Sequence, residues 1–295
     1  MPSGSPTPLR TPEYQRWRGL SSREDMRFIA VALPRLLART PWEDDPARND
    51  RFRYAEYAPD SDSRVWMSAG FGFAAVVARA FTQFAWPADV HGSDTDRVGG
   101  GLVTDLPIET YRTDPPHVWV RPPLDLVLTD KQERDLADAG LMPLSMLPFG
   151  EQPVFAAVRS LQAPATGFIG PTAEAATANA RLSAQLNSML CVSRFAHFLK
   201  VLGRETVGSF STAGEIERHL QRWIGGYVNS NVGAGPESRA RMPLVDARVT
   251  VRERPGRPGV YGATIHLQPH FQLDDVSATF RLVTEITAAG AQRAA

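Results

Sequence analysis

The stretch Ser193-Arg-Phe-Ala-His-Phe-Leu-Lys-Val-Leu-Gly-Arg-Glu-Thr-Val-Gly-Ser-Phe210, followed by Glu217-Arg-His-Leu-Gln-Arg-Trp-Ile224, decides how the rest of the chain is read. Leu182, Leu186, Met189, Val192, Ala196 and Leu199 recur at spacings of three and four, so Thr172 to Glu205 reads as one helix. Its second half is apolar nearly all round, which predicts enclosure on more than one side. After a break at Gly203 to Gly208, the capping box of Thr212 and Glu215 opens another helix with the stripe Ile216, Leu220, Trp223, Ile224 and Tyr227. Beyond it the period changes to two. Val245, Ala247, Val249 and Val251 alternate with Asp246, Arg248, Thr250 and Arg252. Tyr261, Ala263, Ile265 and Leu267 repeat the alternation after the turn Pro255-Gly-Arg-Pro-Gly259, and Val276, Ala278, Phe280 and Leu282 repeat it again. A three-stranded antiparallel meander is expected, wet on one face and buried on the other.

Toward the amino terminus, Phe28 to Leu33 is a continuous apolar run ended by Pro34 and reads as a strand buried on both faces. Phe71 to Phe84 reads as a compact apolar helix bounded by Pro87. Leu124 to Leu128 reads as a strand, Thr129 and Gln132 as a capping box, Gly140 as a helix C-cap, and Leu141 to Met146 and Val154 to Leu161 as further strands. The strand, helix, strand order predicts an α/β unit within an overall α+β chain, with a mixed sheet flanked by helices. The expected divisions are a disordered tail over 1–12, a body over 13–163, a carboxy-terminal domain over 164–286 and a second disordered tail over 287–295.

Composition narrows the function. Lys plus Arg and Asp plus Glu both total 32, so the electrostatic footprint of a nucleic-acid or anionic-membrane binder is missing. Only Lys131 and Lys200 are lysines; the arginine excess suits bidentate pairing at protein interfaces. The lone Cys191 lies in an apolar run and reads as a buried small hydrophobe, which fits a reducing compartment. No stretch is long and apolar enough to span a bilayer, and Met1-Pro-Ser-Gly-Ser-Pro-Thr-Pro8 has none of the features of a signal peptide, so a cytoplasmic protein is expected.

Candidate chemistry is sparse. Gly70-Phe-Gly-Phe-Ala-Ala75 matches a dinucleotide fingerprint in its letters, but Arg64 to Ser68 is a short lead-in strand and no strand ending in an acid follows. Glycines that permit close helix packing explain it better. His266, His270 and Asp274 are spaced by four, yet Pro269 interrupts the ladder, so histidines at a strand end outrank a metal site. His197 reads as structural because Arg194 and Lys200 flank it. Gly99-Gly-Gly101 has no helix N-terminus behind it and reads as a flexible connection rather than a phosphate cradle. Cys191, Ser68 and Ser145 have no sequence-local base. No cofactor and no catalytic residue is predicted. Arg194, His197, Lys200 and Arg204 form a basic stripe that reads either as a solvated helix face or as a contact for acidic partners.

Eight short matches occur in order: Glu13 to Trp17, Leu33 to Leu37, Asp105 to Pro107, Gly140 to Met146, Arg194 to Lys200, Gly208 to Phe210, Arg222 to Ile224 and Pro269 to Phe271. In this order and spacing the chain, from residue 13 to about 286, resembles the large subunit of the type VI secretion contractile sheath. The resemblance implies a sheath-type fold and a structural rather than enzymatic role. It implies a small sheath subunit, other large subunits, an inner tube protein, a baseplate and a disassembly ATPase as partners. Members of the family are longer and carry an amino-terminal half that has no counterpart here. The carboxy-terminal strands would complete a sheet shared between protomers, and the helix around Thr172 to Arg181 would face the inner tube. The interface residues expected on that basis are Glu174, Arg181, Arg194, Lys200, Arg204, Arg248, Arg252 and Arg281. The competing reading is a soluble α/β enzyme that binds nucleotide at the Gly70 to Ala75 turn.

Overall fold

A computed structural model describes residues 11–93, 97–113, 118–147, 150, 152–165, 167–207, 212–231, 233–257, 259–270 and 280–286. Residues 1–10 of the tail expected over 1–12, the tail expected over 287–295, the Gly208 to Phe210 match, Phe271, Asp274, and Val276 and Ala278 of the expected third strand lie outside these residues, while Pro12 opens a short 3-10 turn over Pro12–Tyr14. The chain forms two units, Met1–Ala80 with Val90–Ala163 and Phe81–Asp89 with Pro164–Ala295. The nine residues Phe81–Asp89 thus join the carboxy-terminal unit, whereas the sequence reading assigns them to the body.

The first unit begins with helix α1 (Gln15–Ser21) and continues through strands β1 (Ala32–Leu33), β2 (Leu36–Leu37) and β3 (Trp66–Met67) to helix α2 (Ala69–Phe84), whose last turn belongs to the second unit. Strands β4 (Glu109–Tyr111) and β5 (Trp119–Arg121), helix α3 (Asp130–Asp138), and strands β6 (Met142–Pro143), β7 (Ser145–Met146) and β8 (Pro153–Val154) follow. The described strands form two-stranded pairs: β1 with β6 in parallel, and β2 with β3, β4 with β5 and β7 with β8 antiparallel. The expected body-wide mixed sheet is therefore replaced by short ladders. Proline explains much of this, since Pro34, Pro143 and Pro153 stand in or beside the strands and supply no amide donor.

Three expected strands shrink accordingly. Only Ala32 and Leu33 of the Phe28 to Leu33 run form ladder pairs, and Phe28 is 62% exposed. Within Leu124 to Leu128, only Leu124 makes a bridge, to Leu36. Of Val154 to Leu161, Val154 alone lies in a named strand. Local chemistry fares better. Thr129 and Gln132 form the reciprocal capping box of α3, and Gly140, at φ 82°, occupies the left-handed region just after it. Gly72 lies within α2 where a Cβ would stand 2.7 Å from Leu36 Cδ1 and 3.3 Å from Val103 Cγ1, so glycine lets the helix pack closely. The Gly99 to Gly101 segment is a packed junction rather than a flexible one: Gly101 N–H donates to Gly92 (2.7 Å), and Phe155 N–H donates to Gly101 (2.9 Å).

In the second unit, helices α4 (Ala173–Ser183), α5 (Leu186–Val207), α6 (Ala213–Gly225) and α7 (Pro236–Arg241) accompany strands β9 (Leu244–Glu253), β10 (Tyr261–Pro269) and β11 (Phe280–Ile286). The single helix expected over 172–205 is two, separated at Ala184 and Gln185. Their amides donate to the carbonyls of Arg181 and Leu182, three residues back. Thr212 and Glu215 cap α6 as a reciprocal box. The three strands pair antiparallel in chain order, β9 against β10 and β10 against β11.

Alternation places Ala247, Val249, Val251, Ala263, Ile265 and Leu267 in one core with Ile216, Leu220 and Ile224 of α6 and Phe195 and Leu199 of α5. Trp86 enters the same core and stacks on Phe195 with ring centroids 4.1 Å apart, flanked edge-on by Tyr227 at 4.8 Å. A Cβ on Gly203 would meet Ile286 Cδ1 at 2.7 Å, so this glycine permits the approach of α5 to β11.

Candidate assembly interface

The sheet of the second unit offers the best-defined surface. Residues opposite the core face form polar rungs across it. Arg248 stands opposite His266 and His266 opposite Arg281, while Arg252 stands opposite Gly262 and Gly262 opposite Glu285. Arg248 and Arg252 are exposed. Arg281 shares their face by register, and its side chain lies outside the described residues.

The two edges of this sheet differ. At one end of β9, Asn229 N–H donates to Leu244 O (2.8 Å), Leu244 N–H donates to Tyr227 O (3.2 Å) and Ser230 Oγ donates to Val245 O (3.3 Å). Further along, Gln221 of α6 behaves like a strand neighbour. Its Nε2 donates to Ala247 O at 3.0 Å and its Oε1 accepts from Val249 N–H at 2.8 Å. One turn earlier, Glu217 Oε2 accepts from Val251 N–H at 2.8 Å. Side chains thus occupy the backbone groups that would otherwise recruit another strand. At the other edge, β10 is the strand neighbour of β11 among the described residues.

Sequence reading missed Glu217 and Gln221. The available signal is their spacing of four on α6, which sets both beside the buried stripe Ile216, Leu220 and Ile224. It also missed Trp86, because a core position outside the periodic elements carries no pattern.

Of the remaining candidates, Glu174 and Arg181 are both exposed on α4, two turns apart. Lys200 and Arg204 are exposed on α5. Arg194 departs from this stripe: its guanidinium sits 4.2 Å from the Phe81 ring centroid, 4.8 Å from Phe198 and 5.6 Å from Trp86. Its buried Nε has no hydrogen-bond partner among the described residues, so the aromatic faces are its main electrostatic contact.

The enzyme leads take structural positions. Gly70 and Gly72 lie inside the first turn of α2, which leaves no open glycine turn there to wrap a pyrophosphate. Cys191 is buried in the core and burial pushes its thiol up to about 12, far from a reactive thiolate. His266 takes part in the polar rung. His270 follows a register irregularity at Gln268 and Pro269, and burial lowers its pKa from the ordinary value. Among the described residues no helix is long and apolar enough to cross a membrane.

Comparison with known proteins identifies the family to which these surfaces belong. Residues 6–162 match the family model described as EvpB/VC_A0108, tail sheath N-terminal domain. Residues 175–286 match the model described as EvpB/VC_A0108, tail sheath gpW/gp25-like domain. The type VI secretion system sheath protein TssC1 of Pseudomonas aeruginosa is 36% identical over 282 residues, which cover 95% of this chain and 55% of that protein. The chain therefore spans about half the length of the curated relative it matches. With two sheath models falling in order along one chain, this protein belongs to the family of type VI secretion sheath large subunits.

Proposed function

We propose that the chain is a structural component of a cytoplasmic contractile sheath, built with a small sheath subunit and further large subunits into a helical tube around an inner tube, and contracting to propel it. The observation that carries this reading is the collinear match of both sheath models over residues 6–162 and 175–286. No hydrolytic site is needed in such a part, because a metastable assembly stores energy in bistable interfaces and releases it by subunit rotation. A separate disassembly ATPase then acts on the contracted form, and a baseplate seats one end of the tube.

Within this reading β11 is the edge that receives a neighbour's strand. The support is the contrast between the edges, since Gln221, Glu217 and the 227–230 segment already engage the backbone of β9. Arg248, Arg252 and Arg281 lie on the solvent-side rungs, where they pair with acidic groups of adjacent protomers. Lys200 and Arg204 do the same from α5. Glu174 and Arg181 face the inner tube, where modest polar contacts release during contraction.

Co-expression with a small sheath subunit tests the reading by electron microscopy and light scattering. Tubules or large helical oligomers are expected, and a strictly monomeric product overturns it. Charge reversal at Glu174 and Arg181 is expected to weaken inner-tube co-purification; unchanged recovery overturns that placement.

A further inference from the structure

The segment between Trp42 and Tyr57 is an ordered loop whose aromatic side chains point away from any core. Trp42 is 50% exposed, Phe52 57%, Tyr54 49% and Tyr57 86%. Polar contacts rather than burial fix its backbone. Trp42 N–H donates to Glu56 Oε2 at 3.0 Å, Glu56 N–H donates to Trp42 O at 2.8 Å, and Arg39 clamps the Glu56 carboxylate with both terminal nitrogens. That clamp holds Glu56 below the usual carboxylate range. Inside the loop Asp50 accepts from Arg48 and from Phe52 N–H (3.0 Å), and Asp45 accepts from Ala47 N–H (2.8 Å). Arg48 also lies 5.4 Å from the Phe52 ring centroid.

A loop held this way has already met much of the ordering cost of binding. It leaves on the order of 400 Å² of aromatic surface in water, as much as the largest apolar patch of an ordinary monomer, and such patches are often functional; Phe52 and Tyr54 adjoin, with ring centroids 6.1 Å apart. The area bears on the occupant. Two copies meeting through this loop would each bury roughly half of the ~800 Å² per partner of a standard interface. A large polypeptide that also covers the surroundings fits better. The same unit leaves Phe28 62% exposed, and Tyr111 and Trp119, opposite one another on the β4–β5 ladder, 41% and 50% exposed. This unit is where the tail sheath N-terminal domain model matches, and 45% of TssC1 has no counterpart in the chain.

We infer that the Trp42 to Tyr57 loop is the docking site for the portion of a sheath large subunit that has no counterpart in residues 1–295. The inference rests on the sheath reading above.

The probe is the part of Pseudomonas aeruginosa TssC1 outside the matched 55%, supplied by co-expression and, separately, fused to this chain as one polypeptide. Oxidative footprinting of Trp42, Phe52 and Tyr57 is expected to fall several-fold in both arms relative to the chain alone. Phe52→Ser with Tyr57→Ser is expected to weaken the co-expressed complex by about tenfold to a hundredfold, the range for truncating aromatic anchors at an interface. Full labelling of the loop in a fusion that still forms tubules with a small sheath subunit overturns the docking site and leaves the sheath reading standing. Complex formation unaffected by the double substitution overturns it too. So does a wild-type dimer that the double substitution dissolves, since a second copy would then be the occupant. A fusion that forms no tubules and keeps the loop labelled defeats the sheath reading and this inference together.

Discussion

The two units handle aromatic side chains differently, although the first also packs Phe73 edge-on against the fully buried Phe155. In the second, Trp86, Phe195, Trp223 and Tyr227 pack ring against ring inside a core closed by a three-stranded sheet and two helices. In the first, Trp42, Phe52, Tyr57 and Trp119 are half exposed or more. Among the described residues, every exposed large hydrophobic side chain except Phe81, Phe168 and Ile169 belongs to the first unit. The backbone follows the same division. Strands of seven to ten residues make a continuous ladder in one unit, and pairs of two or three residues punctuated by proline make up the other. Long ladders bury whole faces and close a core, whereas short ones leave ion pairs such as Arg64–Glu109 and Arg35–Asp125 to fix the chain. Both units bury an apolar core, with Leu36, Met142, Leu144 and Phe155 fully buried in the first; the contrast teaches that the first adds polar ties to its short ladders and leaves apolar surface over.

The most severe test of that contrast is Phe195→Ala. Phe195 is fully buried and touches Trp86, Trp223 and Tyr227, so its loss leaves a cavity under the sheet. A destabilisation of about 4 kcal/mol is expected. Chemical denaturation followed by tryptophan fluorescence would read it, and a loss under about 1 kcal/mol would mean that the core collapses to fill the gap.

Glu109→Gln asks the matching question of the first unit. The buried Arg64 guanidinium donates to both Glu109 oxygens, at 2.9 and 3.0 Å, and Arg121 approaches the same carboxylate at 3.5 Å. The hydrogen bond from Arg64 holds Glu109 below its ordinary 4.5. Because the folded value is depressed, this contribution is complete above pH 4.5 and drains away as pH falls from there through the folded value. The substitution should cost about 2 kcal/mol at neutral pH, the range for a hydrogen bond to a charged group, because it removes the charge that balances a buried arginine while keeping one acceptor. The variant should also lose stability less steeply than the parent on acidification. Parallel acid profiles would show that other carboxylates carry the acid response.

Gln221→Ala probes the closed edge of the sheet. It strips Ala247 O and Val249 N–H of their partner, and a loss of about 1 kcal/mol is expected. The more telling readout is association. If Gln221 guards the edge, the variant self-associates at concentrations where the parent does not; unchanged light scattering would assign it a purely stabilising part.

How far these features could be read from sequence follows the range of the interactions that create them. The capping boxes at Thr129 and Thr212 are legible because a cap is made by residues three apart. The amphipathic stripe of α6 is legible for the same reason. The break between α4 and α5 is not: Leu182 and Leu186 continue the helical spacing across it, and no glycine or proline marks Ala184 or Gln185. The run from Phe28 to Leu33 misleads in another way. Its backbone does pair, with Met142 N–H on Val31 O and Leu161 N–H on Ile29 O, yet Phe28 and Ile29 face water. Apolar sequence reports that a surface is to be covered and says nothing of what covers it. For Gln221 and Glu217 the sequence offers their spacing of four on α6 but not their edge-binding role, because their partners lie 26 to 34 residues away. Exposure follows the local pattern for Lys200, Arg204, Arg248 and Arg252, while Arg194 is drawn into an aromatic nest by Phe81, far off in sequence.

Tyr57→Ser is expected to have the smallest effect, and its smallness is the point. Tyr57 is 86% exposed, so in the chain alone the substitution should shift stability by no more than about 0.5 kcal/mol, measured as the denaturation midpoint at constant slope. An aromatic ring that stabilised its own unit would cost several times that on removal, as Phe195 should. A measured loss above about 1.5 kcal/mol would mean that Tyr57 belongs to a core of the first unit, and the contrast between the units would fail at its most exposed residue. A loss near zero leaves a large ring, on a loop held by ion pairs, that folding of the chain does not require. Such a ring is available for contact with something outside the unit that carries it, as the docking inference requires.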